Sequence, residues 1–195
     1  MKLLLTAFEP FGGESVNPSA LVLEQIREPK GLRIEKALLP VSFSGAPSTL
    51  LQKIDRFCPD AVLCLGQAAG RAALTPERIG INWMDASIPD NDGAQPRRNR
   101  IRPDGPDAYF STLPAYAMAD AAQAAGIPAQ VSLSAGAYVC NCTLYCALET
   151  GAQRNIAAGF VHVPCLPIQA AKKQLPSMTL EQMTAGISAM LDVLR

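Results

Sequence analysis

The sequence predicts an α/β fold, a three-layer α/β/α sandwich around a mostly parallel, mixed and twisted sheet, built as one domain over residues 1–195. Three observations carry that expectation. Short apolar runs end in glycine or proline breakers, segments with helical apolar spacing lie between them, and the two kinds alternate along the chain. Such alternation implies right-handed crossovers and a sheet covered on both faces, with ligand sites at the carboxyl ends of the strands.

Residues 2–8 are apolar and run into the breaker cluster 9–13, which reads as a buried strand opening into a loop. Asn17 is a natural N-cap and Pro18 suits the first helical position, so a helix is expected through Ile26. Residues 32–41 read as a second strand, 46–57 as a helix, and 60–65 as a central strand ending at Gly66. Between Arg78 and Arg102 the pattern loosens into a polar stretch rich in Pro, Asn, Asp and Arg, consistent with a hairpin or a long surface excursion. Alternation then resumes: a helix over 113–125, a strand over 129–134, a helix over 138–149 and a strand over 157–163. The last helix follows the capping box that starts at Thr179 and places Leu180, Met183, Ile187, Met190, Leu191 and Leu194 at core spacing.

Seventeen basic and seventeen acidic side chains cancel, so no broad field favours nucleic acid or an anionic membrane, and a small neutral substrate fits better. Charged residues are 17% of the chain against about a quarter in typical domains, which leaves low-charge surface and predicts homo-oligomerisation. The apolar run at residues 1–5 stops at Thr6 and meets Glu9 before any small-residue cleavage site, so it reads as a strand and not as an export signal. No apolar stretch approaches the roughly 18 residues needed to cross a bilayer. The expected location is the cytoplasm, where the 6 cysteines, at positions 58, 64, 140, 142, 146 and 165, are reduced thiols.

A small-residue turn at 135–139 feeds the helix expected to begin near Cys140. Free N–H groups and the positive dipole end at such a position favour an anion, which predicts a thiol pKa lowered toward the physiological range and an oxyanion site in the same turn. The competing reading of Cys140 is a small buried hydrophobe. His162, the only histidine, falls near the carboxyl end of a buried strand, where a base can reach Cys140; the alternative is a satisfied structural imidazole. A third group must fix the imidazole tautomer, and Glu77, just beyond the Gly66-Gln67 strand end, is the candidate, its bland reading being a solvated carboxylate paired with Arg78. Zinc is the first rival chemistry, with Cys140, Cys142, Cys146, Cys165 and His162 as potential ligands, but the C-x-C spacing points two thiols to different sides of a helix and no C-x-x-C pair exists. Cys142 and Cys146 share a helix face and are expected to pack on the sheet. Phosphate binding by Phe11-Gly12-Gly13 is the second rival, and it lacks both a nucleotide-binding glycine pattern and a nearby lysine.

Four ordered blocks resemble the pyroglutamyl peptidase I, or pyrrolidone-carboxylate peptidase, family of cysteine exopeptidases nearly end to end. They are Leu-Thr-Ala-Phe-Glu-Pro-Phe-Gly-Gly with Asn17-Pro18-Ser19, Gly66-Gln67-Ala68 with Thr75-Pro76-Glu77-Arg78, residues 134–136 through Cys140-Asn141, and Gly-Phe-Val-His-Val-Pro at 159–164. The resemblance implies Cys140 as nucleophile, His162 as base and Glu77 as its orienting partner, in the cofactor-free removal of an N-terminal pyroglutamyl residue from peptides through a thioester. It further implies that Phe8 and Phe11 flank the lactam ring, that Gln67 supplies polar contacts, that Asn17 holds the loop, and that the assembly is a tetramer.

Two positions depart from the family pattern. Ser87 stands in Asp-Ala-Ser-Ile-Pro-Asp-Asn where the family commonly has arginine, which removes a cation from the neighbourhood of thiolate and oxyanion, and Ile168 replaces the usual glutamate in Leu-Pro-Ile-Gln. The first motivates a rival reading, a catalytically weakened module that binds pyroglutamate without turnover. A nucleoside or sugar-phosphate enzyme on a similar sandwich is a further alternative.

Overall fold

The computed structural model describes every residue of the chain except 172 and 173. Its elements are β1 (Lys2–Phe8), α1 (Pro18–Gln25), β2 (Arg33–Leu39), α2 (Gly45–Phe57), β3 (Ala61–Gln67), β4 (Thr75–Glu77), β5 (Ile79–Ile81), β6 (Ala108–Phe110), α3 (Ala115–Ala124), α4 (Val139–Arg154), β7 (Ala157–Val163), α5 (Pro167–Ala171) and α6 (Leu180–Asp192). The main sheet has the order β2-β1-β3-β7-β4. Its first four strands are parallel, and β4 runs antiparallel to β7 at the edge.

Strand alternation divides the apolar side chains between two cores. Leu3, Leu5 and Ala7 of β1 face Val22 of α1, Met118 of α3 and Ile187 of α6. Leu4 and Phe8 face the other way, toward Leu50 of α2 and Leu144 of α4. The sheet is thus covered on both faces, as the expected three layers require. Asn17 caps α1 by accepting from the Ser19 amide, and the capping box of Thr179 and Gln182 opens α6. Among the described residues no helix is long and apolar enough to cross a membrane.

Strand order reverses at β1, which has β2 on one side and β3 on the other, so the carboxyl ends of β1 and β3 part into a crevice. Phe8 and Gly66-Gln67 stand at its two lips, and His162 lies opposite Gly66 on the next strand.

The expected strand over 129–134 is corrected. That segment runs parallel to β4 and touches it at the isolated pairs Leu74–Ala129 and Glu77–Ser132. Leu74 donates to the Pro128 carbonyl, Gln130 donates to Leu74, Ser132 to Pro76, and Arg78 to Ser132. The rung that would join these belongs to Pro76, which has no N–H to give, and the ladder breaks there. The polar excursion after Arg78 is closed at its base by β5 and β6, which pair antiparallel and lie against α4.

The helix expected over 138–149 continues to Arg154, where Asn155 ends it in a left-handed conformation with φ 55°. Close to that end Gly151 lets α4 run tightly beside the start of β7: a methyl group there would lie 2.5 Å from the Ile156 carbonyl oxygen. Backbone is less able than a side-chain tip to move aside, so Gly151→Ala should destabilise the protein despite alanine's better helix propensity. We expect a net loss of about 1–2 kcal/mol, read as a lower urea midpoint at unchanged slope.

Candidate active site

The carboxyl ends of β1, β3 and β7 bring together residues that the chain separates widely. The loop after β1 is tied down from below, since the Asn17 side-chain amide donates to the Glu9 carbonyl (3.0 Å) while its oxygen accepts from the Ser19 amide and hydroxyl, and the Phe8 amide donates to the Ser19 hydroxyl. Phe8 is almost wholly enclosed, its ring centre 6.2 Å from that of Phe160, and shows only an edge to the pocket; Phe11 is more open and lies 6.3 Å from the Tyr138 ring.

Cys140 is the second residue of α4, as expected from the small-residue turn before it. Its sulfur rests on the sheet directly above Gly66: a Cβ at that glycine would be 3.0 Å from Cys140 Sγ and 2.7 Å from the Phe160 ring. Gly66 is paired with His162 across the β3–β7 ladder, and paired residues on neighbouring strands project to the same face. Sulfur and imidazole therefore share one face of the sheet, the face covered by α4, and both open on the same pocket. A glycine at position 66 is what lets the helix bring a thiol this close to a central strand.

Glu77 reaches His162 from the antiparallel edge strand. Thr75 is the register partner of His162, and Glu77, two residues on, is its diagonal neighbour on the same face. The Glu77 carboxylate is fully buried and its Oε1 lies 2.7 Å from His162 Nδ1. The bland reading of Glu77 is overturned: Arg78 turns away, donating to the Ser111 carbonyl and lying over the Phe110 ring, and the cation that does pair with Glu77 is Arg71, with Nη1 to Oε1 at 2.6 Å.

No sequence motif marks Arg71 for this place, although it is the only cation between Arg56 and Arg78. It donates through Nη1 also to the Thr75 hydroxyl and through Nη2 to the Ser134 carbonyl at 2.8 Å.

These contacts set the resting charges. Burial alone would raise the Glu77 pKa, but the hydrogen bond and charge of His162, the Ser132 hydroxyl and Arg71 hold it below the ordinary carboxylate value. Burial lowers the pKa of His162, and the opposing pull of Glu77 does not restore it. Burial, the Glu77 charge and Cys64 push the Cys140 thiol up to about 12, against the smaller pull of Arg71 and of its own amide. The expected depression of the thiol pKa by the helix terminus is thereby corrected: burial outweighs it, and thiol and imidazole both rest uncharged. With Nδ1–H donated to Glu77, the imidazole presents its Nε2 lone pair as the base.

The pocket around this pair has a volume of about 530 Å³ and is walled by Phe8, Phe11, Val41, Ile88, Tyr138 and Val139, with Gln67, Arg71 and Ser87 as polar members. The Gln67 amide nitrogen contacts Cys165 Sγ at 3.2 Å and Gln169 Oε1 at 3.4 Å. The excursion that carries Ser87 and Ile88 is fastened to α4 at two points. Asn141 accepts from the Ile81 amide and donates to the Ile81 and Trp83 carbonyls, and the Tyr138 hydroxyl donates to the Pro89 carbonyl.

Of the cysteines weighed as zinc ligands, Cys142 and Cys146 meet each other on α4, apart from Cys165 and from His162. Cys142 points to the Phe43 carbonyl, Cys146 lies beneath Arg102, and Cys165 sits against Gln67. Among the described residues no three ligating side chains gather as a metal site.

A pH profile checks the charge state. Because His162 is held below the ordinary value of 6.5, its base form persists as pH falls through that value. Alkylation of Cys140 by iodoacetamide, followed on the Cys140 peptide by mass spectrometry, should therefore lose its rate only below pH 6.5.

The family model described as pyroglutamyl peptidase matches residues 1–195. A pyrrolidone-carboxylate peptidase from Vibrio vulnificus is 47% identical over 192 residues, 97% of this chain and 91% of that protein, and one from Streptococcus pyogenes is 46% identical over 193 residues, 97% and 90% of the two chains. In three dimensions the pyroglutamyl peptidase I of Bacillus amyloliquefaciens superposes with a TM-score of 0.96 at 37% identity, covering 98% of this chain and 93% of that one. A mutant pyrrolidone carboxyl peptidase of the hyperthermophile Pyrococcus furiosus superposes at 0.95 with 36% identity, covering 99% and 97%. Sequence and fold agree along nearly the whole length, and the chain belongs to the pyroglutamyl peptidase family.

Proposed function

We propose that this chain is a cysteine exopeptidase, a pyroglutamyl-peptidase I, that removes the N-terminal pyroglutamyl group from peptides without a cofactor, and that Cys140, His162 and Glu77 carry the reaction. The observation that supports it most directly is the thiol above Gly66 sharing a sheet face with an imidazole whose far nitrogen is bonded to a buried carboxylate.

In this reading Cys140 Sγ attacks the pyroglutamyl carbonyl as His162 Nε2 takes the thiol proton, so the thiolate exists only as it is consumed. The carbonyl oxygen becomes an oxyanion facing the first N–H groups of α4, which precede that helix's first internal bond, from Cys142 to Tyr138. His162 returns the proton to the departing amine as the C–N bond breaks, leaving a thioester. Water then attacks the thioester with His162 again as base, which frees pyroglutamate and restores the thiol. Glu77 keeps Nδ1 protonated and offsets the imidazolium that forms at each half-reaction.

The flat, uncharged lactam suits a pocket with aromatic and aliphatic walls and few polar groups. Phe8 and Phe11 are the proposed ring contacts, Gln67 the polar contact, and Asn17 the residue that holds their loop. The family match over residues 1–195 and the relatives named as peptidases do not favour the rival of a non-catalytic binding module.

A cytoplasmic location and a homotetramer complete the proposal. For the first, the support is the set of 6 cysteines, all free. For the second it is the exposure of Tyr116, Leu133 and Ile168, each more than half open to solvent.

Release of a fluorogenic amine from its pyroglutamyl conjugate tests the reading. Wild type should turn over. Cys140→Ala should abolish turnover and Cys140→Ser should reduce it by at least about 10³-fold. Turnover that survives in the alanine variant overturns the nucleophile assignment. Glu77→Gln should lower kcat by about 10³–10⁴-fold with a smaller change in KM, because the imidazole loses its tautomer lock and its counter-charge.

A further inference from the structure

We propose that Arg71 is a positioning residue of this site: one arm of its guanidinium holds the Glu77 carboxylate and the other holds the turn that leads to Cys140.

The geometry joins three separately folded parts through one side chain. Gly70, in a left-handed conformation with φ 87°, turns the chain after β3 so that Arg71 enters the pocket wall. Its Nη1 meets Glu77 Oε1 at 2.6 Å and the Thr75 hydroxyl on β4, and its Nη2 meets the carbonyl of Ser134, from which the chain climbs through residues 135–139 to the nucleophile. The side chain is only 25% exposed, so the fork is shielded on most sides and worth more than a surface pair.

The charge balance makes the same demand. Glu77 is wholly enclosed and ionised. Beside a neutral imidazole it would be an uncompensated buried anion, which is strongly destabilising. Among the described residues the only cation other than His162 paired with it is Arg71. Arg71 therefore lets His162 stay unprotonated and able to act as a base. Without it, Glu77 would draw a proton onto the ring, and the base would be lost at a higher pH. The ionisable groups that face the imidazole are Glu77 of β4, Arg71 of the segment before it and, with the nucleophile of α4, Cys64 of β3; the residues of β1 turned to this face, Leu4, Thr6 and Phe8, are neutral.

The proposal rests on reading Cys140 and His162 as nucleophile and base, so the test follows two independent signals, Cys140 alkylation by iodoacetamide and pyroglutamyl hydrolysis. In Arg71→Gln, kcat should fall about 10–100-fold with KM changed less, and the acid limb of both profiles should move up by about one pH unit. Arg71→Lys keeps the charge and loses the fork, so its acid limb should stay near that of wild type while kcat recovers only in part. An unmoved acid limb in a folded Arg71→Gln protein overturns the proposal. Should that variant fail to fold, an Arg71→Lys protein equal to wild type in kcat overturns the clamp. Normal alkylation profiles with no hydrolysis by wild type would defeat the peptidase reading and leave the role of Arg71 standing.

Discussion

A carboxylate with no access to water must have its charge answered by protein, and the surroundings of Glu77 follow from that need. One oxygen accepts from His162 at 2.7 Å and from Arg71 at 2.6 Å, so a single atom fixes the imidazole's orientation and the position of the guanidinium. The edge strand β4, only three residues long, exists to deliver that oxygen: its register with β7 makes Glu77 the diagonal neighbour of His162. Burial of the Cys140 sulfur pushes its pKa up, and the Glu77 charge adds to that, because a second negative charge in the same enclosed space is opposed by the first.

The rest of the fold supplies the approach from the other side. Parallel strands β1, β3 and β7 end at one rim, and their reversal of order at β1 opens the crevice in which a substrate end can lie. Against that rim α4 descends with its amino terminus, and the absence of a side chain at Gly66 allows the sulfur to settle on the sheet. The contact of helix and strand is set by packing around Phe160, whose ring lies 4.7 Å from the imidazole and also against the space above Gly66.

Much of this was legible in the residues. The long strands β1, β3 and β7 are continuous apolar runs because both their faces are covered, and the helix that carries Cys140 follows a small-residue turn. The sole histidine stood where a strand ends, and Glu77 was reachable as a candidate. What stayed hidden depends on contacts between distant segments. Strands β4, β5 and β6 are too short to show a period, and the pairing of residues 128–132 with β4 is interrupted by one proline. The fork of Arg71 joins residues 63 positions apart. The thiol's acidity is not legible in the residues, because a helix terminus is visible in sequence and the depth of burial is not.

The double fastening of the polar excursion has a bearing on what holds the lip of the crevice. Asn141 grips its entry at Ile81 and Trp83, Tyr138 grips Pro89, and β5 and β6 close its base, so residues such as Ser87 ride on a frame whose supports lie elsewhere. The lip of the crevice is in this respect held from outside itself: Asn141 and Tyr138, not the residues of the lip, fix its place beside the pocket.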